Sequence, residues 1–260
     1  MSTKEALLQF REMADSLYVN SLQRTYFKVF GHQVDQRFAI VGNARTGSNY
    51  LLDGLKTSPS IRMYHEIFAD HNRQIGKEFD RIFSTVFQPE SKATEAVGFK
   101  VFYNHLTDDE WQKFLACKDL KIIHVIRRNR LRTVISLEIA FKTGQWTQSN
   151  KANPSEIKVK RLMMDPSKLI RRLEQIEEGE ATARARFQDR QILEVIYEEL
   201  IKSPTSVFES VGIYLGVNGI DPGQIRLRRQ NPETLQQLII NYEEVAAALR
   251  NSRFEEYLDN

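Results

Sequence analysis

The sequence predicts an α/β fold: a single domain in which helices flank a central parallel β-sheet. Two observations favour this class. Short apolar runs alternate with amphipathic segments through most of the 260 residues, and polar or glycine-containing loops follow the strand-like runs. A chain of this length suits one such domain. Ligands of parallel sheets lie where the strands end, so the loops at those ends are expected to carry the site.

The predicted elements follow in order along the chain. The strands are expected at 38–41, 61–64, 96–103, 120–128 and 191–197. The helices are expected at 3–17, 47–57, 71–87, 107–118, 131–142, 166–186, 204–215 and 232–250. Thr107 with Glu110 has the spacing of a capping box, and Asp165 followed by Pro166 is typical of a helix start.

Two segments lie outside this alternation. Residues 1–35 are interpreted as a helical extension that precedes the sheet. The polar stretch within 143–165 is the longest predicted loop, and its composition fits a linker or a flexible lid over a nucleotide, of which we favour the lid. The whole chain is thus predicted to be one domain with an N-terminal extension and one long loop.

Composition excludes several classes of protein. No apolar run is long enough to cross a membrane, and the N-terminus lacks the apolar core of a signal peptide, so a cytoplasmic location is expected. The single cysteine, Cys117, excludes an intramolecular disulfide and a metal site made of cysteines alone. A net charge of +3 with locally clustered basic residues favours an anionic small molecule over nucleic acid as the ligand.

The stretch FAIVGNARTGSNYLLDGL, residues 38–55, joins a strand to a helix through a glycine loop. In such a loop, backbone N–H groups and the helix dipole favour a bound anion. Gly42 and Gly47 have the spacing of the phosphate loop G-x-x-x-x-G-K-[ST], but Ser48 stands where that loop has lysine. Arg45 is then the cation of the loop, although the pattern alone also fits a tight turn. Further contacts would come from Ser48, Asn49 and Tyr50.

A second basic cluster follows the strand-like run KIIHVI. Its members are Arg127, Arg128, Arg130 and Arg132. Ser136 lies eight residues after Arg128, which places it about two turns along the next helix. Both could reach one phosphate, the arginine through forked charged hydrogen bonds and the serine through its hydroxyl. Taken alone, the cluster also fits solvated charges on a helix.

Together the two loops resemble those of the sulfotransferases that use 3′-phosphoadenosine 5′-phosphosulfate (PAPS). In that family a P-loop-like segment, P-[KR]-[ST]-G-[ST]-[ST], holds the 5′-phosphosulfate, and an arginine and a serine eight residues later hold the 3′-phosphate. The first segment here reads Ala44-Arg45-Thr46-Gly47-Ser48-Asn49, and the second set is Arg128, Asn129 and Ser136. The run VIYEEL is similar to a family segment that implies a place near the adenine for Tyr197.

The resemblance extends over roughly residues 36–258. The tail RRQNPETLQQLIINYEEV looks like the closing segment of bacterial carbohydrate-type members. Three residues depart from the family pattern: Ala44 and Arg130 replace prolines, and Asn49 replaces a hydroxyl residue. The glycine-rich 3′-phosphate segment of the animal cytosolic type has no clear copy here. Either Arg228 or Arg229 would take its part.

The resemblance implies sulfuryl transfer to a hydroxyl, with carbohydrates or other small molecules as acceptors and without a metal. By analogy with phosphoryl transfer, Arg45 would offset charge on the leaving 5′-phosphate oxygen. The acceptor hydroxyl needs a base. Members that act on sugars imply Glu66, in the segment HEIF, with His65 as its alternate, whereas the animal cytosolic type implies a histidine comparable to His105. Lys100 could contact the sulfate or cover apolar surface with its stem.

Three aromatic and histidine residues remain. His124 and Trp111 are expected in the core, and Trp146 would either stack on a ligand or anchor its loop.

Two other functions stay open: a small-molecule or nucleoside kinase of the phosphate-loop class, and a non-catalytic nucleotide-binding protein. The oligomeric state and the acceptor are not predicted.

Overall fold

The computed structural model describes residues 21–75, 78–147 and 160–259. Five strands occur in these segments: β1 Gln36–Gly42, β2 Ile61–Tyr64, β3 Ala96–Phe102, β4 Leu120–Ile126 and β5 Ile192–Ile196. They form one sheet in the order β2-β3-β1-β4-β5, and every pairing is parallel. The predicted α/β class with a central parallel sheet is therefore confirmed.

Helices connect the strands and cover both faces of the sheet. They are α1 Ser21–Phe30, α2 Ser48–Leu55, α3 Phe79–Val86, α4 Asp108–Ala116, α5 Arg130–Thr143, α6 Pro166–Arg186, α7 Tyr197–Lys202, α8 Pro204–Leu215, α9 Leu235–Leu238 and α10 Tyr242–Arg250. Short 3-10 helices lie at Asp70–Ile75, Tyr103–His105, Pro222–Gln224 and Glu255–Leu258. None of the helices in the described part of the chain has the length and apolar character that crossing a membrane requires.

Both predicted helix starts are confirmed. Thr107 Oγ1 accepts a hydrogen bond from the backbone N–H of Glu110, whose carboxylate accepts from the N–H of Thr107. The carboxylate of Asp165 caps α6, with Pro166 at its first position. The predicted helix 3–17 and residues 148–159 of the predicted lid lie outside the described residues.

The single helix predicted at 232–250 is wrong, because two helices stand there. The chain leaves the helical conformation at Ile239, which pairs with Leu162 in an isolated parallel bridge. The backbone N–H of Ile240 donates to the carbonyl of Leu162 at 2.7 Å. A long-range backbone pairing thus interrupts a segment whose apolar pattern is helical.

The single helix predicted at 71–87 is also wrong. A 3-10 segment occupies Asp70–Ile75, and α3 begins only at Phe79. In the first part, the Arg73 guanidinium donates to the carbonyl of His105 at 2.6 Å and to both oxygens of Glu110. These bonds tie the segment to the β3–α4 connection.

Alternation of side chains along β1 divides the core between the two faces of the sheet. Phe38 and Ile40 face α2 and α8, whereas Ala39 and Val41 face α3 and α4. A third apolar cluster joins α5, α6, α9 and α10 beside the sheet. The carboxyl end of β1 therefore lies between the layer formed by α2 and α8 and the layer formed by α3 and α4.

β1 lies at the centre of the sheet, with β3 on one side and β4 on the other. The chain visits β2 and β3 on one side before it crosses to β4 and β5. Such a reversal of strand order opens a crevice at the carboxyl ends of the central strands, where ligands of α/β sheets bind. The loops that follow β1, β3 and β4 meet at this crevice.

Candidate functional site

The glycine loop that follows β1 has an unusual backbone. Arg45 adopts φ = 66° and Gly47 adopts φ = 88°, both in the left-handed region. Thr46 supports the turn by donating its hydroxyl hydrogen to the carbonyl of Asn43 at 2.8 Å. A Cβ at Gly47 would lie 2.3 Å from Cδ2 of Tyr197, so only glycine fits there. The loop delivers the chain to the N-terminus of α2, where backbone N–H groups favour an anion.

The Arg45 guanidinium connects this loop to two distant parts of the chain. Its Nε donates to Ser136 Oγ on α5 at 3.0 Å, and its Nη1 donates to the carbonyl of Trp146 at 2.6 Å. Its Nη2 donates to Oε1 of Gln230. Among the described residues these bonds use three of the five N–H groups of the side chain, so two can still face a ligand. Burial lowers the pKa of Arg45 to about 10, which leaves it charged at neutral pH.

A second group of charged side chains lies beside the loop. Lys100 Nζ is 2.7 Å from a carboxylate oxygen of Glu66, and it also donates to Oδ1 of Asn49. His105 Nε2 is 4.0 Å from the other Glu66 oxygen. Burial lowers the pKa of Lys100, and the neighbouring Glu66 carboxylate opposes that shift. The charge of Glu66 also acts on Arg45, so the two groups share one electrostatic environment.

His65, the alternate candidate base, points elsewhere. Its Nε2 lies 2.9 Å from the ammonium of Lys56. Burial lowers the pKa of His65 to about 3, and the positive charges of Lys56 and Lys100 add to the effect. A histidine with so low a pKa is a weak base at neutral pH. Glu66 therefore stays the predicted base, with His105 as its neighbour.

The arginines after β4 occupy different environments. Arg127 is buried at 7% exposure, with its guanidinium 4.6 Å from the centre of the Tyr197 ring. Its Nη1 donates to the carbonyl of Arg45 at 3.4 Å, and its Nε has no hydrogen-bond partner among the described residues. Burial lowers the pKa of Arg127 to about 10. The phosphate contact is predicted for its neighbour Arg128. Because both faces of β4 are buried, no alternation along the strand singles out Arg127.

Arg128, by contrast, lies at the surface. Its guanidinium is 2.5 Å from Glu199, and 62% of its side chain is exposed. Ser136 is buried and accepts hydrogen bonds from Arg45 and, at 3.1 Å, from Nδ2 of Asn231. With both acceptor positions of the hydroxyl in use, its hydrogen can donate to an anion. The joint phosphate contact of Arg128 and Ser136 stays a prediction.

The model of the family described as Stf0 sulphotransferase matches residues 16–244 of this chain. The chain belongs to this sulfotransferase family. A sulfotransferase is an enzyme that transfers a sulfuryl group, so the protein is a transferase, and the predicted resemblance to bacterial sulfotransferases is confirmed.

Two known proteins illustrate the relationship. Nodulation protein H of Rhizobium meliloti (strain 1021) is 25% identical over 244 residues, which cover 86% of this chain and 95% of that protein. The crystal structure of a sulfotransferase from Alicyclobacillus acidocaldarius superposes with a TM-score of 0.52 at 16% identity, covering 85% of this chain and 93% of the other. The structural likeness shows that the two share a fold.

Four further side chains are predicted to bind the nucleotide in this sulfotransferase: Tyr50, Arg228, Arg229 and Tyr197. Tyr50 is half-buried, and burial raises the pKa of its hydroxyl. Arg228 and Arg229 are exposed. Burial lowers the pKa of both Arg127 and Arg132, and the positive charge of Arg229 adds to both shifts. Tyr197 contacts the loop and Arg127, and its proximity to the adenine stays a prediction.

His124 and Trp146 make contacts within the protein, and whether Trp146 also stacks on a ligand stays a prediction. His124 is fully buried between the hydroxyl of Tyr103, at 2.5 Å, and Glu194, as expected of a core histidine. Trp146 packs edge-on against Phe141, with the ring centres 5.1 Å apart. Among the described residues no three histidine, cysteine or acidic side chains gather in a way that could hold a metal ion.

Proposed function

We propose that this sulfotransferase moves the sulfuryl group of PAPS to a hydroxyl of a carbohydrate or another small molecule, in line and without a metal. The observation that carries the proposal is the hydrogen bond from Lys100 to Asn49, which joins the glycine loop of Arg45 to the Glu66–Lys100 pair at the ends of β2 and β3. A cation for the leaving group and a base for the acceptor thus lie in one crevice.

The residues present fit the two ends of PAPS. The glycine loop and the N-terminus of α2 would hold the 5′-phosphosulfate through Arg45 and the five residues after it, Thr46, Gly47, Ser48, Asn49 and Tyr50. Ser136, with Arg128 and either Arg228 or Arg229, would hold the 3′-phosphate. The buried Nε of Arg127, which has no partner among the described residues, supports an anion in this region. Tyr197 would lie near the adenine.

In the proposed step, the Glu66 carboxylate takes the proton of the acceptor hydroxyl as that oxygen bonds to sulfur. The bond between sulfur and the 5′-phosphate oxygen breaks at the same time, and the electron pair stays on the phosphate. Arg45 offsets the charge that grows there, together with the backbone N–H groups of the loop. Lys100 orients Glu66, and its bond to Asn49 fixes the base relative to the loop.

The proposal is tested by calorimetric titration with 3′-phosphoadenosine 5′-phosphate (PAP), beside ADP and ATP with and without Mg²⁺. We expect PAP to bind most tightly and equally well without magnesium, because the site offers arginines and backbone N–H groups as its anion ligands. A preference for ATP with magnesium would overturn the proposal and make the glycine loop that of a kinase. PAP binding without conversion of PAPS, over a broad acceptor panel, would indicate a non-catalytic nucleotide-binding protein.

Arg128→Ala tests the assignment of the 3′-phosphate. We expect PAP to bind about tenfold more weakly, the loss of one charge-assisted hydrogen bond, while adenosine 5′-monophosphate (AMP) binds almost as before. Isothermal calorimetry measures both affinities, with the exposed Arg171→Ala as the surface control. Equal losses for the two nucleotides would remove Arg128 from the 3′-phosphate site and direct attention to Arg127 and Arg229.

A further inference from the structure

Gln230 bonds to the glycine loop and to the segment that follows α5. Its Oε1 accepts a hydrogen bond from Nη2 of Arg45, and its Nε2 donates to the carbonyl of Gln145 at 2.5 Å. The next residue, Asn231, donates to Ser136 Oγ, which in turn accepts from Arg45 Nε. Two adjacent side chains of the C-terminal segment therefore set the plane of the Arg45 guanidinium, one directly and one through Ser136.

The backbone around Gln230 is itself anchored. Lys160 donates to the carbonyl of Gln230 at 2.6 Å and pairs with Glu233 at 3.1 Å. Earlier in the segment, the Asp53 carboxylate accepts from the backbone N–H groups of Arg226 and Leu227, which ties the segment to α2. The amide of Gln230 is therefore a fixed partner for Arg45 and not a side chain free to follow it.

The chemistry of an amide suits this position. An amide oxygen accepts one hydrogen bond from the guanidinium and leaves its positive charge available to a ligand. A carboxylate at the same place would form a charged pair with Arg45 and offset that charge. An arginine that stabilises a developing phosphate charge needs both a fixed orientation and an uncompensated charge.

We infer that Gln230 is a positioning residue that holds the Arg45 guanidinium toward the 5′-phosphosulfate end of the nucleotide. The inference rests on the proposed function, and it assigns to Gln230 a role at the 5′ end although its neighbours Arg229 and Asn231 lie toward the predicted 3′-phosphate site. Ser136 accepts from Nε of the same guanidinium that bonds to Gln230 through Nη2, so the two contacts act together.

The affinities for three nucleotides distinguish a positioning role of Gln230 from a purely structural role. The affinities of PAP, AMP and adenosine 3′-monophosphate are measured by calorimetry for the wild type, Gln230→Ala and Gln230→Glu, with the exposed Gln236→Ala on α9 as the matched control. We expect Gln230→Ala to lower the affinities for PAP and AMP by about fivefold to tenfold. The affinity for adenosine 3′-monophosphate should stay within about twofold of the wild-type value. In Gln230→Glu the new side chain has nearly the same size as glutamine. This variant is expected to bind PAP and AMP more weakly than Gln230→Ala does, because its carboxylate pairs with Arg45.

A double-mutant cycle with Arg45→Ala completes the test. When Arg45 is absent, Gln230→Ala should cause almost no additional loss of PAP affinity, because the two residues act through one contact. Equal losses for all three nucleotides, normal AMP binding in Gln230→Ala, or additive losses in the double variant would each overturn the inference while leaving the proposed function intact. A wild type that does not bind PAP would instead overturn the proposed function and this inference with it.

Discussion

Glu66→Gln is expected to abolish sulfuryl transfer and to leave PAP binding intact. The substitution keeps the size of the side chain but removes the group that can accept a proton, and general-base catalysis typically contributes about 10²–10⁴-fold. Lys100 keeps Asn49 as a partner in the variant, so the phosphate loop is expected to hold its shape. Conversion of PAPS to PAP over a panel of hydroxyl acceptors measures transfer, and calorimetry measures binding.

The exposed Glu95→Gln, at the opposite end of the sheet from the crevice, is the matched control for Glu66→Gln. His65→Ala and His105→Ala are measured in parallel. If Glu66→Gln keeps wild-type turnover, Glu66 is not the base, and a loss in one of the histidine variants would identify the replacement. His105 is the stronger of these two because it lies 4.0 Å from Glu66, whereas burial lowers the pKa of His65 to about 3.

Arg45→Ala is expected to lower turnover by about 10²–10³-fold, the cost of removing one preorganised charge-stabilising group. The affinity for PAP should fall by less, since the backbone N–H groups of the loop and the predicted 3′-phosphate site remain. Initial rates at saturating PAPS and calorimetric titration with PAP separate the two effects. Near-normal turnover in this variant would remove Arg45 from the mechanism.

Arg45→Lys refines the same prediction. A lysine keeps the charge but cannot contact Ser136, Trp146 and Gln230 through one planar group. We therefore expect Arg45→Lys to bind PAP about fivefold to tenfold more weakly, as Gln230→Ala does, and to turn over slowly. Exposed Arg161→Ala serves as the control for loss of a surface arginine. Full activity of Arg45→Lys would mean that charge alone, without orientation, is sufficient.

Much of the fold could be predicted because its signals are local. A parallel strand buried on both faces is a short apolar run, and the helix caps at Thr107 and Asp165 depend on residues within one turn. The two helix errors have the opposite origin. The breaks at Phe79 and Ile239 are associated with contacts of Arg73 with Glu110 and of Leu162 with Ile239, which are distant along the chain.

The candidate site likewise has one part with a local signal in the sequence and one part without. The spacing of Gly42 and Gly47 and the position of Arg45 before a helix indicated a phosphate loop directly, because a phosphate loop is a local backbone structure. The difference in burial between Arg127 and Arg128 did not have a local signal. Adjacent residues at a strand end point to opposite sides, and which side faces the crevice depends on the packing of α2 and Tyr197.

By itself, then, the sequence determined the α/β class, the order of strand-end loops and the residue types that could hold an anion. Only the tertiary structure decided which of these side chains meet. Arg45 and Gln230 are 185 residues apart, and Lys100 and Asn49 are 51 apart, yet each pair shares a hydrogen bond. The contact of Lys100 with Asn49 arises because parallel strands bring the carboxyl ends of distant segments to one edge of the sheet. The contact of Arg45 with Gln230 depends on how the segment after α8 packs against the glycine loop. No periodicity within a short window records either arrangement.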